Sequence, residues 1–165
     1  MKVLSRGSPP AQFIQPPNTL RLKVGGGGFG IDAAAVARAE AALKDLSSQF
    51  GQWLNDEVTK LEAARAEIRM VGVMPQTMDQ LYMRAHDLKG LGTTYEYPIV
   101  TRIAASLCKL IDGDVRMKAP LYLVDAHIDA IKAVVRDGIQ TDEHPVGGAL
   151  AAELESKTKE HLAGL

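Results

Sequence analysis

The sequence predicts an all-α protein: an antiparallel four-helix bundle with a long first helix and an extra helix at its C-terminal end. Three observations lead there. Beyond residue 31, apolar residues recur at three- and four-residue steps, the spacing of one helix face. Proline and glycine interrupt that periodicity at intervals of about one helix length. No stretch alternates apolar and polar residues as a half-buried strand would. The joining loops are short, so consecutive helices should be antiparallel neighbours.

Residues 1–30 carry Pro9, Pro10, Pro16 and Pro17, then the run Gly25-Gly26-Gly27-Gly28-Phe29-Gly30. That composition buries too little apolar surface to offset the entropy of ordering, so a flexible tail is expected. The glycine run lacks the Lys-Ser/Thr of a phosphate loop and reads as a linker. Residues 31–165 then form a single helical domain. Asp32 is a good N-cap, and Ile31 and Val36 are placed as a hydrophobic staple. Val36, Leu43, Leu46, Phe50, Trp53, Leu54, Leu61, Ile68 and Val71 continue the periodicity, and Gly72 and Pro75 end it. Ser47, Ser48 and Gly51 mark the place where this long helix would break if it did; continuity is the expectation.

The second helix opens on the capping box Thr77-Met78-Asp79-Gln80 and ends near Thr94. The third starts at Pro98 and stops at Asp112-Gly113. The fourth starts at Pro120 and stops at Asp137-Gly138, and a weaker helix follows from about Gly148 to Leu162. The predicted core is helices 52–71, 77–94, 98–112 and 120–137, with the upstream half of the first helix and the last helix as additions.

Composition narrows the function. Apolar residues make up 46% and charged residues 24% of 165, with a net charge of −1. So balanced a surface argues against nucleic acid or an anionic membrane as the main partner. One cysteine, Cys108, excludes an internal disulfide. No apolar run approaches the roughly 20 residues of a membrane span. Lys2 and Arg6 are not followed by the apolar stretch of a secretion signal, so a cytoplasmic location is expected.

The stretch that raises a chemical question is Ala85-His-Asp-Leu-Lys-Gly-Leu-Gly92. Two glycines sit in a helix beside a histidine, although each costs about 1 kcal/mol against alanine. At 100° per residue, Met78, Leu81, Ala85, Leu88 and Gly92 share the core face, and His86 points well away from it. Gly92 then permits close helix packing, whereas Gly90 leaves space beside the imidazole. Tyr82, Lys89, Gly90 and Thr93 flank His86, and Met83 offers an exposed apolar contact. A neutral imidazole is nucleophilic toward phosphorus, and Lys89 would offset the charge of a phosphoryl group placed on it. In-line transfer also needs a metal and a positioned partner group, which this sequence does not supply. The other histidines read differently: His127 as a core or boundary residue, His144 in a loop, and His161 near a helix C-terminus. None of them shows metal-ligand spacing, so no metal site and no cofactor are expected.

His86-Asp87-Leu88-Lys89-Gly90 resembles the His-x-x-Lys-Gly signature of histidine phosphotransfer domains. The resemblance spans about residues 50–138, and the run from Gly92 to Ile111 is similar to stand-alone alphaproteobacterial members. It implies a four-helix bundle that shuttles phosphoryl groups between receiver domains of two-component phosphorelays, without catalytic machinery of its own. It implies that His86 accepts the phosphoryl group and that Lys89 stabilises it. Gly90 would be the small residue of the docking face, with Tyr82, Met83 and Thr93 around it. Partners would be response-regulator receivers, with Mg2+ in the receiver, and a hybrid histidine kinase upstream; a monomer is expected. Two positions depart from the pattern: Leu91 stands where small residues are common, and Glu96 where many members have glycine. Two other readings stay open. One is a dimeric phosphotransferase like the dimerisation domain of histidine kinases, favoured by His86-Asp87 but not by Gly90-Leu91. The other is a helical scaffold in which His86 is incidental.

Overall fold

The computed structural model describes residues 32–165. The tail and linker expected over residues 1–30, and Ile31 of the expected staple, lie outside the described residues. The described chain is all-helical, with no strand among its residues. It comprises α1 (Ala33–Val71), α2 (Pro75–Leu91), α3 (Pro98–Leu110), a 3₁₀ turn (Gly113–Lys118), α4 (Leu121–Arg136) and α5 (Pro145–Ala163). Contacts divide the chain at Ala39/Glu40, so that Glu40–Leu165 forms one unit. Of the other, Met1–Ala39, only Asp32–Ala39 is described, and there the Asp32 carboxylate accepts the Ala34 N–H at 3.1 Å, as a cap should.

Within the larger unit α3 is the central element. It packs against α2, α4 and α5, and α4 also packs against α5. Its burial is correspondingly broad: Ile99, Val100, Ile103, Ala104, Leu107 and Leu110 are all at or near zero exposure. The expected extra helix is present and carries part of the core, because Ala151, Leu154 and Thr158 of α5 are buried. Arg102 fixes it further, with Nε and Nη2 donating to the two Glu155 carboxylate oxygens at 2.8 and 2.7 Å and Nη1 donating to Asp142 at 3.0 Å. Glu155 is held below the usual carboxylate range, first by that hydrogen bond.

α1 is continuous and changes character along its length. From Leu54 onward it buries Leu54, Val58, Leu61, Ala64 and Ile68 at helical spacing. Leu43 and Leu46, part of the same expected apolar series, are exposed. An ion-pair cluster joins its second half to α4. Arg65, almost wholly buried, donates to Asp129 at 2.6 Å, lies 3.6 Å from Asp125 and pairs with Glu62; Arg69 reaches Asp125 at 3.1 Å. Burial works against the Arg65 charge, but these carboxylates more than offset it.

The helix ends follow the punctuation closely, with two corrections. α2 begins at Pro75, so Thr77 is not its cap. Thr77 is the third helical residue, nearly buried, and its hydroxyl accepts the Met74 N–H at 3.0 Å while lying 3.0 Å from the Gly72 and Met74 carbonyls. Pro75 therefore opens α2 as well as closing α1, which suits its missing N–H. The 3₁₀ turn after α3 was not legible from the spacing. The loop between α2 and α3 holds Glu96 at φ +66°, the left-handed region that L side chains avoid. Ser47 of α1 donates to its carboxylate at 3.0 Å. Replacing Glu96→Gly should raise stability by about 1 kcal/mol, less whatever the exposed Ser47 bond contributes. Urea denaturation of the two proteins checks this.

Candidate functional site

α2 turns one face inward and one outward, as its pattern requires. Met78, Leu81, Ala85 and Leu88 are fully buried and Gly92 is buried with them. His86 is exposed on the other face, and its ring makes no hydrogen bond to any described residue. One turn earlier stands Tyr82, half-buried against the core, its ring centroid 6.1 Å from the imidazole with the planes tilted by 30°. One turn later stand Lys89 and Gly90, both exposed. Met83 is 60% exposed and so available to a partner. Asp87 faces Arg84 at 3.6 Å rather than Lys89.

The two glycines have opposite surroundings. A Cβ at Gly90 would meet nothing within 4 Å, so the backbone beside His86 faces open space. A Cβ at Gly92 would come within 2.7 Å of the Thr101 backbone nitrogen and hydroxyl, and 3.0 Å from the Tyr97 carbonyl. Gly92 thus lets the end of α2 meet the start of α3, and Gly90 leaves the imidazole uncrowded. Thr93, expected beside the site, is exposed but lies beyond the end of α2. Its N–H donates to the Thr101 hydroxyl at 2.9 Å, and the two hydroxyls are 3.1 Å apart, so it ties α2 to α3.

Cys108 of α3 and Asp112 just after it are two groups that the spacing within α2 could not reveal. Asp112 raises the Tyr82 phenol, with burial as a second cause. Cys108 is buried, and burial pushes its thiol up to about 11, with Lys89 acting against the shift and Asp112 with it. At neutral pH Cys108 is therefore a thiol, not a thiolate, and does not compete as a nucleophile.

Two of the remaining histidines, His127 and His144, are engaged in hydrogen bonds, whereas the buried His161 Nε2 has no partner among the described residues. His127 is fully buried, as expected of a core residue, with Nδ1 2.7 Å from the Leu123 carbonyl and Nε2 2.9 Å from the Ser106 hydroxyl. Thr158 of α5 closes this group, 3.1 Å from Ser106 and 3.3 Å from His127 Nε2. Spacing placed His127 inside but gave no sign of the two hydroxyls, which come from other helices. Nδ1 must donate to the carbonyl, so Nε2 accepts from a hydroxyl. His144 caps α5, its Nδ1 accepting the Gly147 N–H at 3.4 Å. Among the described residues no three His, Cys, Asp or Glu side chains gather as metal ligands would. No described helix is long and apolar enough to cross a membrane.

Comparison with protein-family models, with curated proteins and with solved structures returns no match to this chain. The functional reading therefore rests on the site itself.

Proposed function

We propose that this protein is a phosphoryl carrier: His86 takes a phosphoryl group from the aspartyl phosphate of a receiver domain and passes it to another receiver. The observation that carries the reading is the exposed His86 ring, with a cation one turn on at Lys89 and open backbone at Gly90. In the forward step a lone pair on one imidazole nitrogen attacks phosphorus. The P–N bond forms as the P–O bond to the partner's aspartate breaks, and the freed carboxylate leaves. Bound Mg2+ in the receiver would supply charge compensation at the transition state, and Lys89 supports the product phosphoramidate. This chain supplies position and charge only. The left-handed backbone at Glu96 adds support, since glycine is frequent at that place in the family the motif resembles. Tyr82, Met83 and Gly90 would form the docking face, the carrier acting as a monomer in the cytoplasm.

The test is label transfer. Receivers phosphorylated with radiolabelled acetyl phosphate should pass label to the protein in an acid-labile, base-stable form. Replacing His86→Gln should abolish labelling, and circular dichroism should show the helix content retained. Replacing Lys89→Ala should leave labelling possible but lower the phosphorylated fraction at equilibrium roughly three- to fivefold, an exposed ion pair being worth up to about 1 kcal/mol. Label that persists on the glutamine variant would mean another residue is the acceptor.

A further inference from the structure

A second feature lies where the α2–α3 loop meets α1, independent of His86. Tyr95 closes a three-ring cluster with Phe50 and Trp53, centroids 5.6–5.9 Å apart and all planes tilted. Beside it runs an open-sided groove lined by Trp53, Tyr95, Asp56, Glu57 and Lys60. Trp53 is 36% exposed, which is high for the only tryptophan in the chain. Lys60 donates to Glu57 at 2.6 Å, which leaves Asp56 with no ion-pair partner among the described residues. The groove thus has two aromatic walls and one uncompensated negative charge. The loop that places Tyr95 there contains Glu96 at φ +66°, secured by Ser47. Strain held in place by a specific bond is common where a loop positions a binding surface.

We propose that this groove receives an arginine side chain of a partner protein. Aromatic faces attract cations through the ring quadrupole. A planar guanidinium can lie on an indole while its N–H groups face a carboxylate, a combination an ammonium cannot match. The groove is open along one side. That suits a side chain delivered by a macromolecule, because a free small molecule needs a site that covers most of its surface.

The single indole N–H of Trp53 reports on the groove directly. Full-length protein would be titrated with N-acetyl-arginine amide, N-acetyl-lysine amide and tetramethylammonium at constant ionic strength, following that one NMR cross-peak. The arginine derivative should give a saturable shift with a Kd on the order of 10 mM, and the lysine derivative a weaker one. Asp56→Asn, an exposed change, should weaken the arginine site roughly three- to fivefold. Lys60→Gln should tighten it by a similar factor, because it releases Glu57. A linear, non-saturating shift with every probe would overturn the proposal, as would an unchanged Kd in Asp56→Asn. Tightest binding by tetramethylammonium would overturn it in favour of a small quaternary cation.

Discussion

Gly92→Ala should destabilise the protein by about 2 kcal/mol, whereas Gly90→Ala, two residues earlier, should stabilise it by about 1 kcal/mol. Gly90 lies within α2, where alanine gains helix propensity, and Gly92 is its C-cap; the destabilisation at Gly92 comes from what a methyl group would touch. At Gly92 it would press on the Thr101 backbone and hydroxyl at 2.7 Å and on the Tyr97 carbonyl. Those atoms start α3, the helix on which α2, α4 and α5 pack, so relief requires a shift of the central element. At Gly90 the methyl group would stand in open space. Urea denaturation of both variants reads the two changes. Gly90→Ala, although more stable, should exchange phosphoryl groups with receivers more slowly, since the added carbon occupies the docking face. Equal stability changes at the two glycines would show that the α2–α3 junction is looser than described.

The second large effect is expected at His127. Replacing His127→Leu should cost about 2–3 kcal/mol, because the Leu123 carbonyl loses its ring N–H and Ser106 and Thr158 lose a buried acceptor. The same residue makes stability depend on pH. Burial lowers the His127 pKa below its ordinary value of 6.5, with the Leu123 carbonyl acting weakly the other way. The folded protein therefore holds the ring neutral where the unfolded chain would protonate it. Below about pH 6.5 the unfolded state binds more protons than the folded one, so stability falls with pH until the lowered folded pKa is reached. Above pH 6.5 the contribution is constant. Unfolding free energies measured at pH 7.5 and pH 5 should differ more in the native protein than in His127→Leu. An identical pH slope in both would mean that the ring is protonated inside the fold.

The parts of this molecule that local sequence could reveal are those with local causes. Helix ends were legible because proline and glycine act on their own backbone; the observed starts at Pro98, Leu121 and Pro145 lie within three residues of those expected. The inward stripe of α2 and the outward direction of His86 follow from the 100° period alone. Features built between elements were not legible. The bond pair from Thr77 depends on how α1 ends at Gly72, and the Ser106–His127–Thr158 group draws one residue from each of three helices. Asp112 and Cys108 reach the neighbourhood of Tyr82 and Lys89 only because α3 packs on α2. The exposure of Leu43 and Leu46 shows the converse. Helical spacing of apolar residues marks a face, but not whether anything covers it.

The central claim is that one particular ring nitrogen holds the phosphoryl group. The most direct measurement is to incubate the protein with a phosphorylated receiver, quench in alkali, and locate the modification by fragmentation mass spectrometry. A phosphoramidate on the peptide containing His86, lost on brief acid treatment, is the predicted result. An unmodified His86 alongside phosphate on another residue, or no transfer from any receiver of the host cell, would contradict it.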